Sequence, residues 1–471
     1  MSRIVELFAE VCEQKAELTA FYYCRGKKLL SKSFTEVAMD VDRATQYLHN
    51  MGVRADDHML AFANPNYNLV IFILAAFKIG ASVMYIDVFA KQDTFANLFK
   101  KYQPKFVLTS NRTSALRIFF PVAQKIQHVI NIDQVKNVEN CTHDFGRDLP
   151  ETQIALLTTT TGSTSKPKIV VRTHGDLLAQ LKLIERNIEL PKKQPVVLTS
   201  SYMYVFANLL QGLTTVLPNV NLCKNPTTIN RKLRKFEKVG INTILTSPDF
   251  CLKAKNIFAD LEYLYFGGAI VNLTDAEKIE QEFGAAKIIY TYGCTECNLI
   301  SRTPFGEYIK TLRETGESKL GEIVDGVKVQ IGAQDEICVK SVARTDKYLN
   351  DVCEHGEFYD TSDRGYLRND ELFYLGKAHA VLNTPGGRLY SSQVEQDLVR
   401  HFDLSKCAIL EQDKKFYLFL ERKPYIAAIR VKKYLKKKYK IMPSVRYISK
   451  IPCDIKHHTK INYQKLRKKL K

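Results

Sequence analysis

Strand-like and helix-like segments alternate along the first third of the chain, and this alternation most restricts its fold. Apolar runs at 59–63 and 82–86 flank a helix-like segment at 66–80. The same order continues with a strand at 106–109, a helix at 116–126 and a strand at 129–132. Such an order predicts a wound α/β architecture, in which helices cover a largely parallel sheet.

The N-terminal segment predicts a helix, a hairpin and a second helix. Apolar residues recur at helical spacing at Ile4, Leu7, Phe8, Val11 and Cys12. Residues 20–23 and 28–31 predict a hairpin that turns at Arg25-Gly26. Ser33 and Glu36 have the spacing of a capping box at the start of the next helix.

A polar stretch, Thr158-Thr-Thr-Thr-Gly-Ser-Thr-Ser-Lys-Pro-Lys168, lies between apolar runs at 154–157 and 169–171. The pattern predicts a hydroxyl-rich loop between two strands. Hydroxyls and backbone N–H groups donate hydrogen bonds, the glycine lets the backbone approach a ligand, and the lysines add charge. These properties suit a polyphosphate, although a solvated Ser/Thr turn explains the same residues equally well.

Two further motifs follow buried strands. A strand at 261–270 runs into Gly267-Gly-Ala-Ile270, and paired glycines at a strand end permit close backbone approach. The second motif is Tyr290-Thr-Tyr-Gly-Cys-Thr-Glu296. Its Cys294 forms a Cys-x-x-Cys pair with Cys297, which leaves a zinc or redox role open. No second such pair is present to complete a four-ligand zinc site.

The last third carries three more motifs. They are Tyr359-Asp-Thr-Ser-Asp363, Gly376-Lys-Ala-His379 and the segment that runs from Ile451-Pro452 to Lys460-Ile461. In this order and spacing, the motifs resemble those of the AMP-forming adenylating enzymes, which include acyl-CoA synthetases, adenylation domains and luciferases. The resemblance extends from Ser33 to Lys460. Ser165, Ile169, Ser362 and Thr459 stand where the family pattern has glycine, and Lys377 stands where it has arginine.

The resemblance implies an α/β fold with two domains. Residues 1–375 would form a large N-terminal adenylation domain of wound α/β subdomains that binds ATP and the acyl group. Residues 376–471 would form a small, mobile α+β domain that carries the catalytic lysine.

The resemblance also assigns roles to individual residues. Catalytic roles fall to Lys460, Thr295 and Glu296, and Glu296 is also the expected magnesium ligand. ATP and AMP binding is assigned to Thr160, Thr161, Gly162, Ser163, Thr164, Lys168, Gly268, Ala269, Tyr292, Gly293, Asp363 and Lys377. The substrate pocket is assigned to His174, Val205, Phe206 and Gly267, and the hinge between the domains to His379.

The implied reaction has two steps. ATP, with Mg²⁺, activates a carboxylic acid to acyl-AMP and pyrophosphate, and the acyl group then passes to a thiol of CoA or an acyl carrier protein. The patterns Gly376-x-Ala-His379 and Gly387-x-Leu-Tyr390, with Leu217-Pro218 and Ser247-Pro248, resemble the fatty-acid branch near the olefin β-lactone synthetases. A β-lactone synthetase acting on a 3-hydroxy fatty acid and a non-catalytic adenylate-binding relative are the alternatives.

The net charge of +19 is concentrated at the C-terminus. Residues 421–471 hold 18 Lys/Arg against Glu421 and Asp454, so the other 420 residues, with 51 basic and 48 acidic side chains, are nearly neutral. Such a basic tail keeps a nucleic-acid-binding protein as an alternative, although no specific nucleic acid is expected. It is also compatible with weak association with an anionic membrane surface.

The remaining sequence features favour a cytoplasmic location. No signal peptide is apparent, and the longest apolar run, at 69–77, is too short to span a bilayer. Eleven scattered cysteines fit reduced thiols better than a disulfide framework.

Overall fold

The computed structural model describes residues 2–86, 92–111, 113, 126, 128–134, 149–159, 168–345, 347–349, 356–422, 427–454 and 460–470. Most of the predicted helix at 116–126 lies outside these residues. So do residues 160–167 of the polar loop, which include the predicted nucleotide-binding residues Thr160, Thr161, Gly162, Ser163 and Thr164.

The elements up to residue 210 are, in chain order, α1 (Arg3–Gln14), β1 (Thr19–Arg25), β2 (Lys28–Ser33), α2 (Phe34–Asn50), β3 (His58–Phe62), α3 (Tyr67–Ile79), β4 (Ser82–Tyr85), α4 (Gln92–Tyr102), β5 (Phe106–Thr109), β6 (His128–Asn131), β7 (Ile154–Thr159), β8 (Ile169–Thr173), α5 (His174–Asn187), β9 (Val196–Thr199) and α6 (Tyr202–Leu210).

The elements from residue 214 to 377 are β10 (Thr214–Leu217), α7 (Pro226–Leu233), a 3₁₀ helix (Arg234–Val239), β11 (Thr243–Thr246), α8 (Pro248–Lys253), β12 (Tyr263–Gly267), α9 (Leu273–Phe283), β13 (Lys287–Tyr292), β14 (Ser301–Pro304), α10 (Phe305–Glu314), β15 (Ser318–Ile323), β16 (Val327–Ile331), β17 (Glu336–Ser341), β18 (Tyr359–Arg368) and β19 (Glu371–Lys377).

Strands β3 to β8 form a six-stranded sheet in the order β6-β5-β3-β4-β7-β8. All its pairings are parallel except that of β7 with β8, which form an antiparallel hairpin. Parallel strands need crossover connections, and α3 supplies the one between β3 and β4. The predicted α/β alternation is thus confirmed, and so is the predicted hairpin around the polar loop.

The other large sheet has thirteen strands in the order β16-β17-β18-β19-β15-β14-β13-β12-β11-β9-β10-β1-β2. Its centre, from β10 to β13, is parallel. The strands from β14 to β19 pair antiparallel. The predicted hairpin near the N-terminus is confirmed, because β1 and β2 pair antiparallel at one edge of this sheet.

The remaining elements are β20 (Val381–Thr384), β21 (Gly387–Tyr390), α11 (Ser391–Phe402), β22 (Cys407–Gln412), β23 (Lys415–Glu421), α12 (Ala428–Tyr439), β24 (Ser444–Ile448) and α13 (Tyr463–Lys468). The last three strands form their own sheet, in which β23 lies in the centre. Side chains alternate between the faces of a strand, so this sheet has two cores. Ile409 packs with Leu435 of α12 on one face, and Ala408 packs with Leu466 of α13 on the other.

The predicted domain boundary, between residues 375 and 376, falls inside β19, whose last residue is Lys377. Beyond β19 the chain forms its own small sheets with helices. The mixed α/β fold with a large N-terminal part and a small C-terminal part is confirmed, while the exact boundary stays a prediction.

Local capping chemistry sets where two helices begin. The Ser33 hydroxyl accepts a hydrogen bond from Glu36 N, and the Glu36 carboxylate accepts one from Ser33 N, as predicted. Thr173 forms the same reciprocal pair with Asp176. Helix α5 therefore begins at His174.

Candidate active site

Close backbone approach defines the ends of two neighbouring strands of the large sheet. A Cβ at Gly267 would lie 2.1 Å from the Thr291 carbonyl oxygen, so no side chain fits there. A Cβ at Gly293 would lie 1.5 Å from the Asn298 carbonyl oxygen. This close packing lies beside the exposed Gly268 and the buried Ala269, where the resemblance places adenine.

Three of the predicted nucleotide-binding residues form one cluster. The Tyr292 hydroxyl donates to Asp363 Oδ2 at 2.9 Å, and Lys377 Nζ lies 2.5 Å from Asp363 Oδ1. Asp363 and Lys377 are opposite each other in the β18–β19 pair. Asp363 is only 4% exposed, and burial together with its carboxylate raises the pKa of Tyr292 well above the usual value. The cluster is therefore a buried carboxylate in a defined orientation.

Ser362, next to this carboxylate, has a left-handed backbone with φ of +63°. The family pattern has glycine at this position. A side chain in this conformation costs about 1 kcal/mol, and the hydrogen bond from Ser362 N to Asp360 Oδ1 at 2.7 Å holds the turn. By contrast, Ile169, which also replaces a family glycine, lies in β8 opposite Thr159.

We expect Ser362→Gly to raise the free energy of unfolding by about 0.5–1 kcal/mol, because glycine adopts positive φ without steric cost. Urea denaturation measures this change. Ser31→Gly is the matched control, since Ser31 lies exposed in β2, and glycine there should be destabilising. A loss of stability in Ser362→Gly would contradict the strain at this position.

Glu296 and Lys168 meet at the same tyrosine. The Tyr348 hydroxyl donates to Glu296 Oε1 at 2.9 Å, and Lys168 Nζ lies 4.5 Å from the centre of the Tyr348 ring. The Tyr359 hydroxyl is 3.1 Å from that of Tyr348. Because Glu296 is 7% exposed, this contact fixes a buried carboxylate next to the end of the polar loop. The sequence analysis missed Tyr348, which belongs to no motif.

The predicted substrate-pocket residues His174, Val205 and Phe206 are buried on α5 and α6. The rings of His174 and Phe206 lie 5.5 and 5.8 Å from the ring of Phe77. His174 Nδ1 is 2.9 Å from the Ser2 hydroxyl, and burial lowers the pKa of His174 to about 4, so the imidazole is neutral at pH 7.

An apolar cavity of about 430 Å³ lies among α1, α2, α3 and α6. Phe206 and Phe77 line it together with Leu74, Leu209 and Val41. Charged groups line it at only a few positions, where Lys78 and Asp42 form an ion pair of 2.6 Å. The side chains that line the cavity are therefore suited to contact a hydrocarbon group.

Lys460 lies at a short antiparallel contact between two backbone segments. Asp454 N donates to the Lys460 carbonyl oxygen at 2.9 Å, and Cys453 forms a β-bridge with Ile461. Two residues later, the ring of Tyr463 lies 6.3 Å from that of His379, the predicted hinge. The structure therefore joins the segment that carries Lys460 to the hinge.

The Cys294–Cys297 pair lacks the lowered thiol pKa that is typical of a redox pair. Both cysteines are free, and Cys297 together with burial raises the pKa of Cys294 well above the usual thiol value. Reactive cysteines have lowered values instead. Among the described residues, no group of three or more His, Cys, Asp or Glu side chains could hold a metal ion.

Residues 8–349 match the family model of AMP-binding enzymes. The chain belongs to this family. It is 23% identical over 441 residues to a D-alanine–D-alanyl carrier protein ligase of Streptococcus pyogenes serotype M49, covering 84% of this chain and 82% of the relative. It is 23% identical over 446 residues to surfactin synthase subunit 1 of Bacillus subtilis. That match covers 87% of this chain but only 12% of the relative, and a match to bacitracin synthase 3 of Bacillus licheniformis covers 7% of that protein.

Solved structures of similar proteins share the fold of this AMP-binding enzyme over nearly its whole length. An amide bond synthetase from Marinactinospora thermotolerans has a TM-score of 0.82 at 15% identity, covering 99% of each chain. The o-succinylbenzoate CoA synthetase of Bacillus subtilis, solved with ATP and a magnesium ion, has a TM-score of 0.79 at 18% identity, covering 98% of this chain and 99% of the other. In the described part of this AMP-binding enzyme, no helix is long and apolar enough to cross a membrane.

Proposed function

We propose that this AMP-binding enzyme activates a carboxylic acid with ATP, forming acyl-AMP and pyrophosphate, and transfers the acyl group to a thiol. The observation that carries this proposal is the buried carboxylate of Asp363, held by Tyr292 and Lys377 on the strand pair next to β15. A carboxylate in a fixed orientation suits the two vicinal hydroxyls of a ribose.

The other predicted residues fit the rest of Mg·ATP. Backbone groups at Gly268 and Ala269 would contact adenine, and the loop that ends at Lys168 would bind the phosphates. Magnesium commonly binds one or two protein carboxylates together with phosphates and water. The buried Glu296 supplies one such carboxylate. Bound magnesium would neutralise phosphate charge during adenylation.

The protein would then accelerate the reaction mainly by positioning the reactants and by stabilising charge in the transition state. We assign to Lys460 the stabilisation of charge on the acyl carboxylate and the α-phosphate, and to Thr295 a hydroxyl donor nearby. After adenylation, residues 376–471 would rotate about His379, which removes Lys460 and admits the acceptor.

We propose that the acid has a long apolar chain. The apolar cavity supports this, because Phe206, which is assigned to the acyl pocket, lies in its wall. Phe206 therefore belongs both to the assigned acyl pocket and to the wall of the cavity. The tail of a long alkyl chain could reach the cavity if Phe206 moved aside.

The test of this function is ATP–pyrophosphate exchange over a panel of alkanoates, 3-hydroxy fatty acids and D-alanine. We expect kcat/KM to rise about fourfold for each methylene that becomes buried. Exchange with D-alanine and with no other acid would refute the proposal that the substrate is apolar. No exchange with any acid would favour a non-catalytic relative. AMP and a dehydrated acid from a 3-hydroxy fatty acid without thiol would favour β-lactone synthesis.

The acceptor would meet a basic surface. The solvent face of α12 and the residue after it, which we call the basic face, comprises Arg430, Lys433, Lys436, Lys437 and Lys440, all exposed. Tyr434 and Tyr439 of this helix are not part of the basic face, because both of their hydroxyls donate to the buried Asp397. The face therefore has lysines without exposed stacking rings, which fits an acidic carrier protein better than single-stranded nucleic acid.

We expect replacement of Lys433, Lys436 and Lys437 by Glu to lower the rate of acyl transfer to an acidic carrier protein at least tenfold at low salt. Pyrophosphate exchange should not change. Glu replacements of the exposed Lys182, Lys192 and Lys193 provide a control with the same change in charge. Equal effects of both triple variants, or binding of RNA or anionic vesicles without any effect on transfer, would contradict the assignment.

A further inference from the structure

Arg172 lies between the two motifs of the candidate site, although it belongs to neither. It is on β8, only 3% exposed, and each of its three guanidinium nitrogens donates a hydrogen bond. Nη1 donates to the Thr158 hydroxyl at 2.7 Å, and Nη2 donates to the Thr295 carbonyl oxygen at 2.5 Å. Thr158 begins the polar loop and Thr295 precedes Glu296, so one side chain joins the two segments.

Gln180 extends this connection. Arg172 Nε donates to Gln180 Oε1 at 2.9 Å. Gln180 Nε2 then donates to the carbonyl oxygens of Ala343 at 3.1 Å and Glu296 at 3.4 Å. The carbonyl groups of Thr295 and Glu296 are therefore held by the same pair of side chains, Arg172 and Gln180.

Among the residues that the structure describes, none supplies a close counter-charge for Arg172. All three of its hydrogen-bond acceptors are neutral, and no carboxylate of the described residues lies within 4 Å of its nitrogens. Burial lowers the pKa of Arg172 to about 10, although Glu296 and Asp176 act in the opposite direction. Burying a charge that is not closely paired is costly, so a purely structural role would be served better by an apolar side chain.

We propose that Arg172 is a positioning residue of the adenylation site, which holds Thr295 and Glu296 against the start of the phosphate loop, and that the phosphates of the bound nucleotide balance its charge. This inference rests on the proposed function. It adds a cation at a position that the adenylation motifs do not include.

The test compares Arg172→Met and Arg172→Lys by thermal unfolding and by pyrophosphate exchange. Arg172→Met removes the poorly paired charge, so its melting temperature without ligand should equal or exceed that of the unchanged enzyme. The stabilisation by a non-hydrolysable ATP analogue with Mg²⁺ should be largely lost, while that by adenosine is kept. Its exchange kcat should fall about 100-fold, because the reacting groups are misplaced. Arg172→Lys should recover most of the ATP stabilisation but less of kcat, since lysine keeps the charge and loses the fork.

Arg302→Met is the matched control, since Arg302 Nη1 donates to the Asn187 carbonyl oxygen away from the motifs. It should lose stability without any change in the response to ATP. A lower melting temperature of Arg172→Met with unchanged ATP stabilisation and kcat would overturn the inference. If Arg172→Met does not fold, ATP stabilisation and kcat of Arg172→Lys equal to those of the unchanged enzyme would overturn it. Failure of the unchanged enzyme to bind ATP or exchange pyrophosphate would instead refute the proposed function.

Discussion

Lys460→Ala is expected to lower the rate of acyl-adenylate formation about 1,000-fold and to leave acyl transfer from supplied acyl-AMP within about twofold. The reason is that the ammonium group stabilises charge on the carboxylate and α-phosphate only while adenylation proceeds. Pyrophosphate exchange measures the first half-reaction. Thioester formation from synthetic acyl-AMP, followed by mass spectrometry, measures the second.

The structure provides a control for this prediction. Lys465 lies five residues further along, exposed on α13 of the same domain. Lys465→Ala should leave both half-reactions unchanged, and both variants should melt like the unchanged enzyme. If Lys460→Ala impairs the two half-reactions equally, the proposal that the C-terminal domain moves between two catalytic orientations is wrong.

Features set by neighbouring residues could be predicted from the sequence. The Ser33–Glu36 capping box and the β1–β2 hairpin depend on side chains a few residues apart, so the pattern contains all the necessary information. The β7–β8 hairpin was predictable in the same way, from two apolar runs around a polar stretch. The start of α5 likewise depends on a local pair, in which Thr173 and Asp176 cap each other.

Contacts between distant segments could not be predicted. Arg172 reaches Thr295 across 123 residues and Tyr348 reaches Glu296 across 52, and neither Arg172 nor Tyr348 belongs to a recognisable motif. Hydrogen bonds of this kind follow from how the two sheets pack, which no local pattern records. The Asp363–Tyr292 contact was anticipated only indirectly, since the resemblance assigned both residues to the same nucleotide.

Asp363→Ala is expected to weaken binding of ATP and AMP about 100-fold, which corresponds to about 3 kcal/mol. The buried carboxylate would accept hydrogen bonds from both ribose hydroxyls, and charged hydrogen bonds contribute about 1.5–3 kcal/mol each. The fold should survive, because the side chain of Lys377 is 35% exposed and can turn to solvent. Glu371→Ala removes a half-buried acid, paired with Lys319, from the same hairpin and should leave nucleotide affinity unchanged.

Deoxy nucleotides make this prediction specific to the ribose. The unchanged enzyme should bind 2′-deoxy-AMP about tenfold more weakly than AMP, because one hydrogen bond to Asp363 is absent. Asp363→Ala should bind the two nucleotides equally, since the variant has no carboxylate that could distinguish them. This double-mutant cycle separates a direct contact from a general loss of structure, which would weaken both nucleotides while preserving their ratio. A preserved tenfold ratio in Asp363→Ala would show that Asp363 only supports the turn around Ser362 and that another residue binds the ribose.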